Sequence, residues 1–234
     1  MAFVLMTTVA HSAWSPTSIS KTLFLPADSQ FNELKSSVCS YLSTSWVTQE
    51  KAHCIMDLIV LTQSKVCVDI GTFTGSSALP MAVALRYLGS GKVYLIDAWS
   101  NQEAIKHISS EDPNYHWWST LDMEDIKRRC LTMIHEWSLE SYCQVMHAPS
   151  EQVVHQIGQI DFLHLDGNFS TEGSLLDATL YVPKVRSGGY ILLSNAFMTI
   201  DHALTKMATM WFLYYECELV AELENSNVML FRKQ

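Results

Sequence analysis

Two acids and two glycines carry the first chemical signal. Lys65 to Ala84 reads Lys-Val-Cys-Val-Asp-Ile-Gly-Thr-Phe-Thr-Gly-Ser-Ser-Ala-Leu-Pro-Met-Ala-Val-Ala. A short apolar run ending in Asp69 meets a turn punctuated by Gly71 and Gly75, and a helix follows. Glycine permits a tight bend and lets a ligand come close to backbone. Ser76 and Ser77 are placed to cap the helix, and Pro80 suits its early part. The free N–H groups of such a helix start favour an anionic ligand end. Phe73 stands where the middle glycine of a dinucleotide fingerprint would be, which disfavours a pyrophosphate and favours a smaller anion such as an amino-acid carboxylate. The plain alternative is a strand-to-helix turn with no ligand.

A second acid shifts that balance. Val93-Tyr94-Leu95-Ile96-Asp97 is another apolar strand ending in a carboxylate, 22 residues after Gly75. In a strand–helix–strand unit this spacing sets Asp97 beside the first turn, where it could hold the two hydroxyls of a ribose. After a third strand over Tyr142 to Met146, a fourth, Ile160 to Leu165, ends at Asp166-Gly167-Asn168. Ligands of open α/β sheets sit beyond the carboxyl ends of the strands, so Asp166 is a candidate base. His164, inside that strand, reads as a hydrogen-bonded core residue.

Taken together, Asp-Ile-Gly-Thr-Phe-Thr-Gly-Ser-Ser, Val-Tyr-Leu-Ile-Asp-Ala-Trp, Ile-Asp-Phe-Leu-His-Leu-Asp-Gly-Asn and Ser-Gly-Gly-Tyr-Ile-Leu-Leu resemble, in order, the motifs of class I S-adenosylmethionine-dependent methyltransferases. The pattern is nearest to the small O-methyltransferase-like group related to catechol, caffeoyl-CoA and macrolide-sugar methyltransferases, over roughly residues 45 to 234. The resemblance implies S-adenosylmethionine as cofactor and methyl transfer to a small-molecule acceptor, a hydroxyl being favoured. It implies that Asp69, Gly71, Thr72, Phe73, Gly75 and Ser76 surround the methionine part and that Asp97, Ala98 and Trp99 lie around the ribose and adenine. It also brings Ser150 and Glu151 to the adenine and Asp166 to both cofactor and acceptor. Trp99 reads equally well as core packing, and Ser150 with Glu151 as a helix cap and first-turn acid. In catechol-type relatives, magnesium is held by an Asp ending the fourth strand and an Asp-Asn pair ending the fifth. Asp166 and Asn195 match, but Ser194 replaces the second Asp, and Phe169 replaces a His often seen after Asp-Gly-Asn. One carboxylate, a hydroxyl and an amide are a poor magnesium set, so no metal site is expected.

The elements that must position these residues follow from periodicity and breakers. The expected fold is α/β: a Rossmann-like, seven-stranded, mostly parallel sheet, helices on both faces and a C-terminal antiparallel hairpin. Residues 1–45 are expected as an N-terminal arm and helix and 46–234 as the cofactor-binding domain. Helices are expected over 29–42, 48–61, 76–88, 120–137, 171–182 and 200–212, with a hairpin about Asn225-Ser226. Residues 1–27, broken by Pro16 and Pro26, are an arm over the acceptor site, a contact to a second copy in a homodimer, or a loose tail. Tyr115, His116, Trp117 and Trp118 read either as a lid or as an anchor for a long loop.

Composition narrows the function. At 234 residues the chain supports one large core, and its 48% hydrophobic content excludes a disordered chain. A formal charge of −9 argues against a nucleic-acid partner. No apolar run reaches membrane-span length. Six cysteines without metal spacing suit reduced, core-filling thiols, hence a cytoplasmic protein. A non-catalytic nucleoside- or protein-binding relative of the same fold is the alternative from another class. An oxygenase-type relative would require iron ligands, for which no pattern is seen.

Overall fold

Helix starts lie where short polar side chains can take up orphan amides. The computed structural model describes residues 28–200 and 203–234, so the expected arm over 1–27 lies outside the described residues. Asp28 accepts from the Phe31 amide to open α1 (Ser29–Tyr41), and Thr48 accepts from the Lys51 amide to open α2 (Gln49–Leu61). Then come β1 (Val66–Ile70), α3 (Ala78–Leu88), β2 (Lys92–Asp97), α4 (Asn101–Ala104), α5 (Pro113–Thr120), α6 (Met123–Glu136), β3 (Cys143–His147), α7 (Ser150–Val153) and β4 (Ile160–Leu165). The chain continues through α8 (Thr171–Tyr181), β5 (Val185–Ser194), β6 (Thr199–Ile200), β7 (Ala203–Leu204), α9 (Met207–Glu216), β8 (Cys217–Leu223) and β9 (Val228–Lys233).

The main sheet has seven strands in the order β3-β2-β1-β4-β5-β9-β8. Pairs from β3 to β5 are parallel, while β9 runs antiparallel to both β5 and β8. The expected seven-stranded, mostly parallel sheet with a C-terminal antiparallel hairpin is therefore present. Strand order reverses between β1 and β4, which puts the switch-point crevice beside Ile70 and Leu165.

Side chains of period two divide the core. Cys67, Val93, Leu95, Phe162 and Leu192 face α1, α2, α3 and α6, and Phe31 and Val38 of α1 belong to that same core. Val68, Ile70, Ile96, Leu163, Leu165, Ile191 and Leu193 face α8 and α9. Asp69, His164 and Ser194 fall on the α2 side by the same alternation, and all three are buried.

Three local expectations are corrected. The helix expected over 120–137 starts three residues later, at Met123, because Asp122 rather than Thr120 caps α6 by accepting from the Asp125 amide. Residues 115–118 are helical, in α5, with Asp112 as cap. The helix expected over 200–212 starts at Met207: β-branched Thr199 and Ile200 pair with Leu204 and Ala203 instead.

Candidate active site

A cleft of ≈ 1190 Å³ opens over the carboxyl ends of β1, β2, β4 and β5. Gly71, Thr72, Phe73, Ser76, Asp97, Ala98, Ser150, Glu151 and Asp166 all line it, so the structure brings these predicted residues together. Asp69, Gly75 and Trp99 stand behind its wall. Asp69 is fully buried and accepts from both the Ser77 hydroxyl (2.9 Å to Oδ2) and the His164 ring (Nδ1, 2.6 Å). Ser77 is the N-cap of α3 but makes no cap bond, since its hydroxyl is spent on Asp69. Trp99 is buried, and its indole N–H donates to the Phe73 carbonyl at 2.9 Å, tying the long segment after β2 to the turn.

The two glycines are demanded by backbone and helix packing. Gly71 has φ +81°, and a Cβ there would lie 2.1 Å from the Asp166 carbonyl oxygen. Gly75 has φ +87°, and a Cβ would lie 2.4 Å from Met133 Cε of α6. The glycine turn is thus pressed onto β4's end and onto α6, a different cause from the ligand approach expected from sequence. Phe73 also has left-handed backbone (φ +52°), unusual for a non-glycine residue. Asp97 holds it: its Oδ2 accepts from the Phe73 amide at 2.8 Å and its Oδ1 from the Trp99 amide at 2.7 Å. Burial pushes the Asp97 carboxyl up, while these two amides pull it back down. Each oxygen keeps a lone pair for a hydroxyl.

Phe73 turns its ring outward into an aromatic wall. It stacks on Trp46 at 5.4 Å and 15° and meets Trp118 edge-on at 5.8 Å; Trp118 contacts Phe169 at 5.2 Å. Tyr115 to Trp118 were read as lid or anchor; Trp117 and Trp118 are in the wall, with Trp117 touching Trp46 at 5.6 Å. Trp46 and Phe169 were not anticipated as site residues. Only Trp46's bare position before the α2 cap could have signalled it.

At the other end of the cleft, Asp166 Oδ1 accepts from Asn195 Nδ2 at 2.7 Å, and its Oδ2 lies 3.6 Å from Lys51 Nζ. Lys51 Nζ also donates to Ser194 Oγ at 2.7 Å. The three positions that match a magnesium site in catechol-type relatives thus surround an ammonium. With one carboxylate among them and a cation already in contact, they do not fit a divalent ion. Among the described residues, no group of three or more His, Cys, Asp and Glu could hold a metal. Lys206, also buried, donates to the Ser194 carbonyl at 2.9 Å, and burial pushes its ammonium pKa down.

The adenine end expected at Ser150 and Glu151 is differently organised from a helix cap. Pro149 occupies the cap position, and the Ser150 hydroxyl donates to Asp177, which also lines the cleft. Glu151 pairs with Lys106 at 3.3 Å on the surface. The donor set of the cleft fits a nucleoside with an amino-acid tail: paired acceptors at Asp97, and Ser76 and Ser77 amides with no bond among the described residues.

A family model described as a methyltransferase domain matches residues 68–196, more than half of the chain. The chain belongs to this methyltransferase family. No curated protein sequence matches it. Among solved structures, a methyltransferase from Geobacter sulfurreducens is similar at TM-score 0.56 and 14% identity, covering 94% of this chain and 96% of that one. The O-methyltransferase from Bacillus cereus in complex with SAH is similar at TM-score 0.58 and 14% identity, covering 93% and 96%. SAH-bound PaMTH1 of Podospora anserina is similar at TM-score 0.58 and 11% identity, covering the whole of both chains. At these identities the likeness is one of fold. The methyl donor expected from sequence, S-adenosylmethionine, is that of the methyltransferase family. No helix among the described residues is long and apolar enough to cross a membrane.

Two predictions follow from this geometry. Gly71→Ala should lower stability by at least about 2 kcal/mol in urea titrations, from the left-handed φ and the clash with the Asp166 carbonyl; a loss under about 0.5 kcal/mol, the level of an ordinary surface substitution, would contradict it. Asp177 supplies the second. Burial pushes its carboxyl from 3.8 up to about 6, against the pull of Ser150 and Lys206. Folding therefore favours the neutral acid: that stabilisation is complete below pH 3.8 and is lost as pH rises through about 6. The loss is on the order of 3 kcal/mol. Asp177→Asn should flatten the fall in urea midpoint between pH 4 and pH 6, an unchanged slope being the contrary result.

Proposed function

We propose that the protein transfers the methyl group of S-adenosylmethionine to a hydroxyl of a small, flat or apolar acceptor. One observation carries the reading: the two clamped oxygens of Asp97, the glycine turn and Asp166 converge on one cleft in a chain of the methyltransferase family. When bound, S-adenosylmethionine supplies a methyl on sulfonium sulfur; the acceptor oxygen bonds to that carbon, the carbon–sulfur pair stays on sulfur, and one proton is released.

The chain's residues divide that task. Amides at Ser76 and Ser77 receive the methionine carboxylate, and the turn from Gly71 to Phe73, whose own amides are spent on Ile96 and Asp97, walls the site beside them. Asp97 accepts from the ribose hydroxyls. Ala98, Ser150 and Glu151 border the adenine. Asp69, Gly75 and Trp99 act from behind the wall, setting the height and shape of the turn. Asp166, with an oxygen facing the cleft, takes the proton from the acceptor and passes it to water. The aromatic wall from Trp46 to Phe169 covers the acceptor and excludes water. Alignment of oxygen, carbon and sulfur lowers such a barrier by up to about 7–11 kcal/mol. The acidic chain, its unpaired thiols and its small-molecule cleft agree with a cytoplasmic enzyme acting on neither nucleic acid nor membrane.

Calorimetric titration with S-adenosylmethionine and S-adenosylhomocysteine tests the cofactor, and a panel of phenols, catechols and sugars tests the acceptor. Asp97→Asn should weaken S-adenosylhomocysteine by about 1.5–3 kcal/mol, the range for hydrogen bonds to a charged group. Equal affinity in a folded Asp97→Asn protein would remove the ribose assignment. Nucleoside binding with no turnover of any acceptor would favour the non-catalytic alternative.

A further inference from the structure

Lys51 lies in the first turn of α2, where a lysine would ordinarily face solvent, but it is buried. Its side chain is 6% exposed, yet it lines the cleft. A buried ammonium is costly unless paired. Among the described residues, the only carboxylate in contact with it is Asp166, at 3.6 Å, beyond hydrogen-bond length, and Asp166 already accepts from Asn195. The ammonium has three donors, of which one is spent on Ser194 Oγ.

The neighbours leave donors of the Lys51 ammonium open toward the cleft. Ser194 Oγ cannot neutralise Lys51. The hydroxyl carries no charge and shares a hydrogen bond with His164 Nε2 at 2.8 Å, and His164 Nδ1 lies against Asp69. Lys206, 1% exposed, reaches the Ser194 carbonyl from behind the wall and adds a second ammonium to the same end. Lys206 is offset by Asp177 as well as Asp166 and does not line the cleft, whereas Lys51 does, with donors to spare and aromatic rings nearby: Phe169 lies 5.8 Å from Lys206 Nζ. The complement of this arrangement is an oxyanion carried on a flat apolar body.

We propose that Lys51 is the resident cation of the acceptor site, holding the acceptor oxygen as a phenolate or enolate and standing where catechol-type relatives place a divalent metal. The inference rests on the methyl-transfer reading and names its acceptor class: acidic hydroxyls on planar rings or enols. The hydroxyl proton goes to Asp166 and then to water, and the methyl passes to the oxygen as the carbon–sulfur bond breaks. Lys51 acts by contact with the reacting oxygen, while Lys206 and Ser194 position it.

The test uses the full chain with 4-nitrophenol, whose ionised form has its own absorption band, in the presence and absence of S-adenosylhomocysteine. At a pH where the free probe is mainly protonated, the wild type should bind it with the ionised band raised. Lys51→Met should weaken that binding about tenfold to a hundredfold, as for loss of a hydrogen bond to a charged group, and should leave the calorimetric affinity for S-adenosylhomocysteine within about twofold. Lys51→Arg should keep the ionised band. Should Lys51→Met not fold, the wild type alone decides, since 4-nitroanisole, which has no ionisable hydroxyl, should bind at least about tenfold more weakly. Manganese(II), followed by its paramagnetic signal, should not bind near Asp166 in the wild type, and the double variant Lys51→Ala with Ser194→Asp should gain such binding. An unshifted probe band, equal binding of nitrophenol and nitroanisole, or tight manganese binding to the wild type would each overturn the proposal. Loss of S-adenosylhomocysteine binding alone would instead count against the cofactor assignment.

Discussion

A buried polar chain across the sheet sets the geometry on which the cleft depends. Lys51 of α2 donates to Ser194 of β5, Ser194 meets His164 of β4, and His164 meets Asp69 of β1, which also accepts from Ser77 at the start of α3. With a neutral imidazole one assignment satisfies every member: Ser194 O–H donates to Nε2 and Nδ1–H donates to Asp69. Three strands at their carboxyl ends and two helices at their amino ends are thereby locked together. Removing one member would leave buried partners unpaired, at about 1–3 kcal/mol each. The chain also fixes which face of each strand end looks at α2, and so the floor against which Asp166 and Asn195 stand.

That floor explains why the glycine turn has to lie where it does. The Gly71 amide donates to the Ile96 carbonyl at 3.0 Å, the Asp166 amide to the Ile70 carbonyl at 3.0 Å, and the Gly71 Cα is pressed against the Asp166 carbonyl. Three strand ends meet with no room for a side chain. Ligand and backbone packing leave the same glycine signature in a sequence, and only the contacts separate them. Phe73 shows the converse. A residue that breaks the dinucleotide fingerprint is held in left-handed backbone by Asp97, and its ring begins the aromatic wall.

The strands and the acids at their ends were legible because each is local. An apolar run of five or six residues terminated by Asp97 or Asp166 declares both a buried parallel strand and the end at which its acid emerges. The antiparallel β9 was legible from the closing hairpin. Lys51 was not. In the first turn of an amphipathic helix a lysine reads as solvent-facing, and its partners lie 143 residues away at Ser194 and further back at Asp166. Trp46 and Phe169 were illegible for the same reason: each finds its ring partners across long loops. The helix misplaced at 200–212 failed on local grounds, since an apolar stretch alone does not distinguish a short strand pair from a first helical turn.

The choice of an ammonium over a divalent ion has consequences for the reaction as proposed. Transfer of a methyl from sulfonium to an oxyanion destroys two opposite charges, so apolar walls such as Trp46, Phe73 and Trp118 favour the transition state over the separated ions. A doubly charged metal would hold the oxyanion more tightly and blunt its nucleophilicity, while activating weakly acidic hydroxyls. A single buried charge on Lys51 does less of both. It leaves the bound oxygen more reactive, and it requires an acceptor acidic enough to ionise with only Asp166 to take the proton. The overall charge of −9 does not oppose this. Surface charges are screened within about 8–10 Å at ordinary salt, whereas Lys51 is buried at the cleft wall and, as proposed, meets the acceptor directly.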